Sequence, residues 1–191
     1  VRSTSGNPFF SDVIQSISAV SEKNDFDLIL QTSKNNQEEA QKIRNKLNEK
    51  LIRGIIILSA SQDEQYLEEL DALKIPIVII GKLEKEYEYI YSVDTDNYSD
   101  SYQMIQTLID LGHKEIACLH APLNIHVSAD RVNGYRKALF DNYLDIKNEW
   151  IVDGGYVLEE SIQAAKKLFS GKQLPTAIFA TDALKALSLF Q

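Results

Sequence analysis

The chain alternates short, almost wholly apolar runs with longer stretches in which apolar side chains recur every three or four residues. The first pattern is typical of strands buried on both faces, and the second is typical of helices that cover a sheet. We predict strands at 26–31, 55–58, 77–80, 116–120, 150–152 and 176–180. This alternation predicts an α/β protein with mostly parallel sheets flanked by helices.

Capping signals mark several of the predicted helices. Asn7 stands in the N-cap position and Pro8 in the favoured first helical position of the first helix. Gly112 is the residue type expected just past the end of the fourth helix. The remaining helices are predicted at 40–51, 67–73, 102–111, 131–142 and 161–170, with a last one beginning near residue 182.

The widest gap between predicted strands, 81–115, indicates a crossover between two lobes. We place the N-terminal lobe at 1–112 and the C-terminal lobe at 113–191. The chain opens on a helix cap and closes inside an apolar helical pattern. We therefore expect the fold to be incomplete at both ends and the chain to be part of a longer polypeptide.

Composition narrows the function classes. With 28 acidic against 20 basic residues and a net charge of −8, this chain alone is not expected to bind nucleic acid. The single cysteine, Cys118, excludes an intramolecular disulfide and fits a reducing cytoplasm. The apolar runs are too short to span a membrane, and no signal peptide is predicted.

No motif predicts a catalytic residue, a cofactor or a metal site, so an enzyme is not expected. One alternative is a Mg²⁺-dependent phosphotransfer enzyme that uses Asp94 and Asp96. The competing interpretation makes Asp94 a turn residue and gives Asp96 or Asn97 the role of helix cap.

Short polar and aromatic side chains follow the predicted strands, at the edge where open α/β sheets bind ligands. Hydroxyl, amide, carboxylate and arginine groups with an aromatic pair suit a sugar, although each residue is equally suited to a helix cap or a core position. The candidate ligand-binding residues are Asn7, Phe9, Phe10, Ser59, Ser61, Asp96, His126, Arg131, Tyr156, Thr181 and Asp182.

Seven segments, in order along the chain, resemble the effector-binding core of the lactose/galactose-repressor family. They are 7–10 NPFF, 53–57 RGIII, 75–81 IPIVIIG, 92–97 SVDTDN, 108–117 LIDLGHKEIA, 130–139 DRVNGYRKAL and 175–182 PTAIFATD. Gly81 and Lys82 replace the Asp-Arg usual in the family and resemble maltose-operon repressors of Gram-positive bacteria.

The resemblance implies a two-lobed core with the type I periplasmic-binding-protein-like fold. It further implies a homodimeric cytoplasmic regulator that binds a sugar effector, maltose or a related glucoside, and controls operator DNA binding allosterically through a helix-turn-helix headpiece absent from this chain. Phe9 and Phe10 match ring-contacting positions, Asp96 matches a carboxylate facing the cleft, and Arg131 matches the arginine that reaches the effector. Thr181 replaces the usual asparagine and shortens that polar arm.

Two alternatives keep the same fold. One is an exported sugar-binding protein of a transporter. The other, within the regulator class, is a global catabolite regulator that also binds a phosphorylated carrier protein.

Overall fold

The described residues of the computed structural model, 8–58 and 63–191, form two separate three-stranded sheets in which every pairing is parallel. The chain divides into two compact units, Val1–Val93 and Asp94–Gln191. The predicted architecture of parallel sheets flanked by helices is thereby confirmed. None of the helices among the described residues is long and apolar enough to cross a membrane.

The first unit carries one sheet with the strand order β1-β2-β3. Its elements are α1 Pro8–Lys23, α2 Asn36–Asn48, β1 Ile55–Ile57, α3 Glu64–Asp71, β2 Ile77–Ile80 and β3 Ile90–Val93. Side-chain caps begin two of the helices: Asn35 accepts a hydrogen bond from the Glu38 amide, and Asp63 accepts one from the Tyr66 amide. Apolar side chains of α2 and α3 pack with those of the strands in one core.

The predicted strand at 26–31 is wrong. No strand forms there, and the side chains of Phe26, Leu28, Ile29 and Leu30 are all exposed. An apolar run becomes a strand only where a neighbouring backbone supplies hydrogen bonds, and no described residue pairs with this run.

β3 is a strand that the apolar pattern did not predict. It lies at one edge of the first sheet, where Ile90 is buried and the three residues that follow are exposed. An edge strand needs only one apolar face, so the sequence 90–93 lacks the continuous run that marks β1 and β2.

The second unit carries a sheet with the order β5-β4-β6, so β4 is its central strand. Its elements are α4 Asn97–Asp110, β4 Ile116–His120, α5 His126–Asp141, a 3₁₀ turn Asn148–Trp150, β5 Ile151–Asp153, α6 Leu158–Phe169, β6 Ala177–Ala180 and α7 Ala183–Ser188. His126 precedes the predicted helix 131–142 but is the first residue of α5, because the helix begins before its apolar stripe does.

β4 is buried along its whole length and contributes side chains to the apolar clusters on both of its faces. Ile116 and Cys118 pack with side chains of α4 and α5. Ala117 packs beside Leu168 of α6, and Leu119 packs with two alanines of the same helix. Successive side chains of a strand point to opposite faces, so β4 separates two helical layers.

The helix α4 belongs to the second unit, whereas sequence analysis assigned residues 97–110 to the first lobe. It crosses α5 at Gly134, where a Cβ atom would lie 2.3 Å from the Tyr98 carbonyl oxygen. Only a glycine permits so close an approach of the two backbones. A helix that follows the first sheet in sequence therefore packs on the second.

Gly134→Ala is expected to lower the free energy of unfolding of the second unit by about 1–3 kcal/mol, because the added methyl overlaps backbone of α4. Alanine favours a helix interior over glycine by about 1 kcal/mol, and this gain acts against the loss caused by the overlap. The fluorescence of Trp150, the single tryptophan, reports urea unfolding of this unit. Asn133→Ala, at an exposed neighbouring position of α5, is the matched control. Equal stability of the two variants would contradict the close contact.

Cys118 is expected to be unreactive in the folded protein. Its side chain is fully buried on β4, and burial raises the pKa of the thiol to about 12, so the nucleophilic thiolate is scarce. Titration with Ellman's reagent at pH 8 should detect no thiol before unfolding and the single thiol of the chain in 8 M urea. Rapid reaction of the folded protein would show that β4 opens readily.

Candidate functional site

The carboxyl ends of the three strands in the second sheet meet at one edge, because all pairings are parallel. β4 ends at His120, β5 at Asp153 and β6 at Ala180. The loops that leave this edge lead into α5, α6 and α7. Predicted ligand-binding residues therefore converge here from segments distant in sequence.

Arg131 is the central cation of this edge. Its Nε donates a hydrogen bond of 2.9 Å to Asn97 Oδ1, and its Nη1 donates one of 2.6 Å to the Thr181 carbonyl oxygen. The guanidinium thus joins the beginning of α4 to the turn between β6 and α7. Its Nη2 group makes no hydrogen bond with the described residues.

Burial of Arg131 lowers the pKa of its guanidinium, and the carboxylates of Asp182, Asp94 and Asp100 oppose that shift. An arginine keeps its proton at physiological pH under such a shift. The side chain is therefore a half-buried permanent cation whose Nη2 donors make no hydrogen bond with the described residues.

Asn97 fixes Arg131, a role that sequence analysis missed. Its side chain is only 4% exposed, and its Nδ2 donates to Asp94 Oδ1 at 3.0 Å and to the Thr95 carbonyl at 3.1 Å. Both donors point into the turn, so Oδ1 is left to accept from Arg131. The sequence signal for this role is that Asn97 follows Asp96 directly. Because Asp96 already caps α4, an amide at the next position is not needed as a second cap.

Asp96 is the N-cap of α4, as the capping interpretation predicted. Its Oδ1 accepts from the Ser99 amide at 3.0 Å, and its Oδ2 accepts from the Ser99 hydroxyl at 2.7 Å. Asp94 Oδ1 accepts from the Thr95 amide at 2.9 Å, which makes Asp94 the turn residue. The described residues bring together no group of three or more His, Cys, Asp or Glu side chains able to hold a metal ion.

Thr181 and Asp182 occupy the turn between β6 and α7. Thr181 is buried, its amide donates to the Leu119 carbonyl at 3.0 Å, and its hydroxyl makes no hydrogen bond with the described residues. Asp182 caps α7 by accepting from the Lys185 amide at 3.0 Å. β4 and Arg131 thus both form hydrogen bonds with the backbone of this turn.

Lys185 was not predicted from the sequence. Its side chain is buried, with its Nζ donating to the Gly155 carbonyl at 2.6 Å and lying 3.5 Å from Asp182 Oδ2. The ammonium therefore ties the turn after β5 to the cap of α7. A lysine flanked by apolar residues in a helix, three residues after an N-cap carboxylate, is the only sequence signal for this role.

Tyr156 links two loops of the same edge. Its hydroxyl donates to Asn124 Oδ1 at 2.8 Å, and its ring remains half exposed. Gly155 precedes it with φ of 66°, and Glu160 accepts a hydrogen bond from the Tyr156 amide at 2.7 Å. His126, two residues after Asn124, is the first residue of α5 and is partly exposed.

Two of the other predicted residues lie in α1 of the first unit. Phe9 and Phe10 of α1 form an edge-to-face pair with ring centroids 5.3 Å apart, and Phe9 is 50% exposed. Their alternative role as core residues is not what the described structure has, since α1 contributes no buried residue. Asn7, Ser59 and Ser61 lie outside the described residues.

The sequence matches, over residues 1–191, the family described as periplasmic binding proteins and sugar binding domain of the LacI family. It is 32% identical to catabolite control protein A of Priestia megaterium over 174 residues, which cover 91% of this chain and 52% of the relative. It is 30% identical to the HTH-type transcriptional regulator MalR of Clostridium butyricum over 185 residues, which cover 95% of this chain and 55% of the relative.

Among solved structures, the chain is similar to a transcriptional regulator, LacI, from Bacillus cereus subsp. cytotoxis NVH 391-98. The TM-score is 0.87 at 32% identity, with 96% of this chain and 65% of the other covered. The chain spans about half the length of the curated relatives it matches. Because the family match covers the whole sequence and a solved relative shares the fold, the chain belongs to the family of periplasmic binding proteins and LacI-type sugar-binding domains.

Proposed function

We propose that this chain is the effector-binding core of a sugar-responsive bacterial transcriptional regulator. The observation that carries the proposal is Arg131, held by Asn97 and the Thr181 carbonyl while its Nη2 donors lack partners among the described residues. A cation fixed in advance loses little conformational freedom when it binds a ligand. In a chain of this family, a sugar hydroxyl is the group that such a donor suits.

The Thr181 hydroxyl and Tyr156 extend the proposed polar surface around Arg131. The first makes no hydrogen bond with the described residues, and the second presents a half-exposed ring. A hydroxyl both donates and accepts, which matches the mixed needs of a sugar, and an aromatic face packs on the apolar face of a sugar ring. That Phe9 and Phe10 contact a sugar ring stays a prediction.

The preferred effector in this proposal is maltose or a related glucoside. Support comes from Gly81 and Lys82, which resemble maltose-operon repressors, and from the relative named MalR. Regulation follows by linkage: a sugar that binds two conformations of a dimer with different affinity also changes the affinity of that dimer for operator DNA. Partnership with a phosphorylated carrier protein stays a prediction, as does a cytoplasmic location.

A panel of sugars tests the effector. The full-length protein is unfolded by urea with maltose, maltotriose, trehalose, sucrose, glucose or glucose 6-phosphate, and with L-glucose as the mirror-image control. A ligand at 100 times its Kd should raise the free energy of unfolding by about 2.7 kcal/mol. Maltose or another glucoside should give this rise and L-glucose none. Failure of every sugar would refute the proposed function.

Arg131→Ala should weaken binding of the sugar by about 10-fold or more, because a hydrogen bond to a charged group is lost. Arg131→Lys should recover little, since a lysine cannot reproduce the fixed guanidinium fork. Isothermal titration gives the Kd, and circular dichroism checks the fold. Arg136→Ala, an exposed arginine of the same helix, should bind as the unmodified protein does. Unchanged affinity in Arg131→Ala would make Arg131 a structural residue only.

A further inference from the structure

His120 ends the central strand β4 and is only 4% exposed. It is not among the residues that the sequence predicts to bind a ligand. Ile116 and Cys118 of β4 point to the layer of α4 and α5, so the period of two places His120 on the same face of the sheet. Val132 and Tyr135 of α5, the helix that carries Arg131, pack on this face.

The hydrogen bond of His120 fixes its tautomer. Its Nδ1 lies 2.7 Å from the Ala121 carbonyl oxygen, and because a carbonyl only accepts, Nδ1 carries the proton. In the neutral ring, Nε2 is then an acceptor. The adjacent Ser128 hydroxyl donates to the same carbonyl, so it is not turned toward the ring nitrogen.

Nε2 has no hydrogen-bond partner among the described residues. A buried polar side chain in a native protein is normally satisfied, and an open acceptor on one is matched by water or by a ligand.

The groups beside His120 favour an uncharged ligand. Asp153 is its register partner on β5, so both side chains lie on one face of adjacent strands. The Gly154 amide is already used by the His120 carbonyl at 2.8 Å, and the Gly155 amide by Asp153 at 2.8 Å. An acceptor nitrogen beside a carboxylate attracts a hydroxyl donor and repels the oxygens of a phosphate.

We propose that His120 Nε2 accepts a hydrogen bond from a hydroxyl of the bound sugar and thereby selects a neutral sugar over its phosphate ester. This inference rests on the proposed function and deepens it. Arg131 supplies donors at the same edge, and His120 supplies the complementary acceptor. Together they match the two hydrogen-bonding faces of a hydroxyl-rich ligand.

Two amide substitutions separate the ligand contact from the structural contact. In His120→Asn the amide nitrogen takes the place of Nδ1 and keeps the bond to the Ala121 carbonyl, but nothing reaches the position of Nε2. In His120→Gln the longer side chain restores a polar group there. The matched control is His113→Gln, since His113 precedes the opposite end of β4 and bonds Thr176.

Titration calorimetry at pH 8 uses maltose, glucose and glucose 6-phosphate on the full-length protein and the three variants. Any sugar that binds should do so about 10-fold more weakly to His120→Asn, within about 3-fold of normal to His120→Gln, and normally to His113→Gln. Glucose 6-phosphate should bind more weakly than glucose. Trp150 fluorescence during urea unfolding confirms that each variant folds.

Four outcomes would overturn the inference. Normal sugar affinity in His120→Asn would show that Nε2 touches no ligand, and tighter binding of glucose 6-phosphate would reverse the selectivity; both leave the proposed function standing. Binding of no sugar by the unmodified protein would remove the proposed function together with this inference. If His120→Asn does not fold, the ¹⁵N shift of His120 Nε2 in the unmodified protein decides: it must change with saturating sugar while Nδ1 stays protonated, and an unchanged shift overturns the inference.

Discussion

The second unit depends on the pairing of β4 with β5 on one side and β6 on the other. This central strand is buried from Ile116 to His120 and gives alternate side chains to two helical layers. Its backbone also holds the functional edge directly: the Leu119 carbonyl accepts from the Thr181 amide, and the His120 carbonyl accepts from the Gly154 amide. The turns after β5 and β6 therefore continue the hydrogen-bond ladder of the sheet by one more bond each.

Two basic side chains also form hydrogen bonds with these turns. Arg131 donates to the Thr181 carbonyl, and Lys185 donates to the Gly155 carbonyl. The turns after β5 and β6 are thus each bonded to a buried or half-buried basic side chain from a helix. Hydrogen bonds to charged groups are the stronger kind, about 1.5–3 kcal/mol each. The chain as a whole has a net charge of −8, so these two cations mark a local site and not a basic surface.

Elements with a continuous apolar run could be predicted closely, and the rest could not. The limits of β2 and β4 match the predicted 77–80 and 116–120, because both strands are central in their sheets. The run 26–31 looked the same but has no pairing partner among the described residues. The error at the edge strand β3 was the opposite one: a strand forms that was not predicted. Only one of its faces is buried, so Ile90 is its only signal in the sequence. The local apolar pattern shows that a segment is buried on both faces, whereas strand pairing depends on backbone that is distant in the sequence.

The candidate site shows the same division between local and distant information. Asp96 and Asp182 were identifiable as caps, because a cap bonds an amide three residues away. Arg131 bonds Asn97 and Thr181, which are 34 and 50 residues distant, and no spacing in the sequence predicts those partners. Lys185 and His120 were missed for a further reason. Each lies in an apolar stretch, where a polar residue interrupts the pattern expected of a core and is treated as an exception. In both cases the exception is a buried polar group whose partner is a backbone carbonyl at the edge of the sheet, and a buried polar group persists in a core only when such a partner holds it.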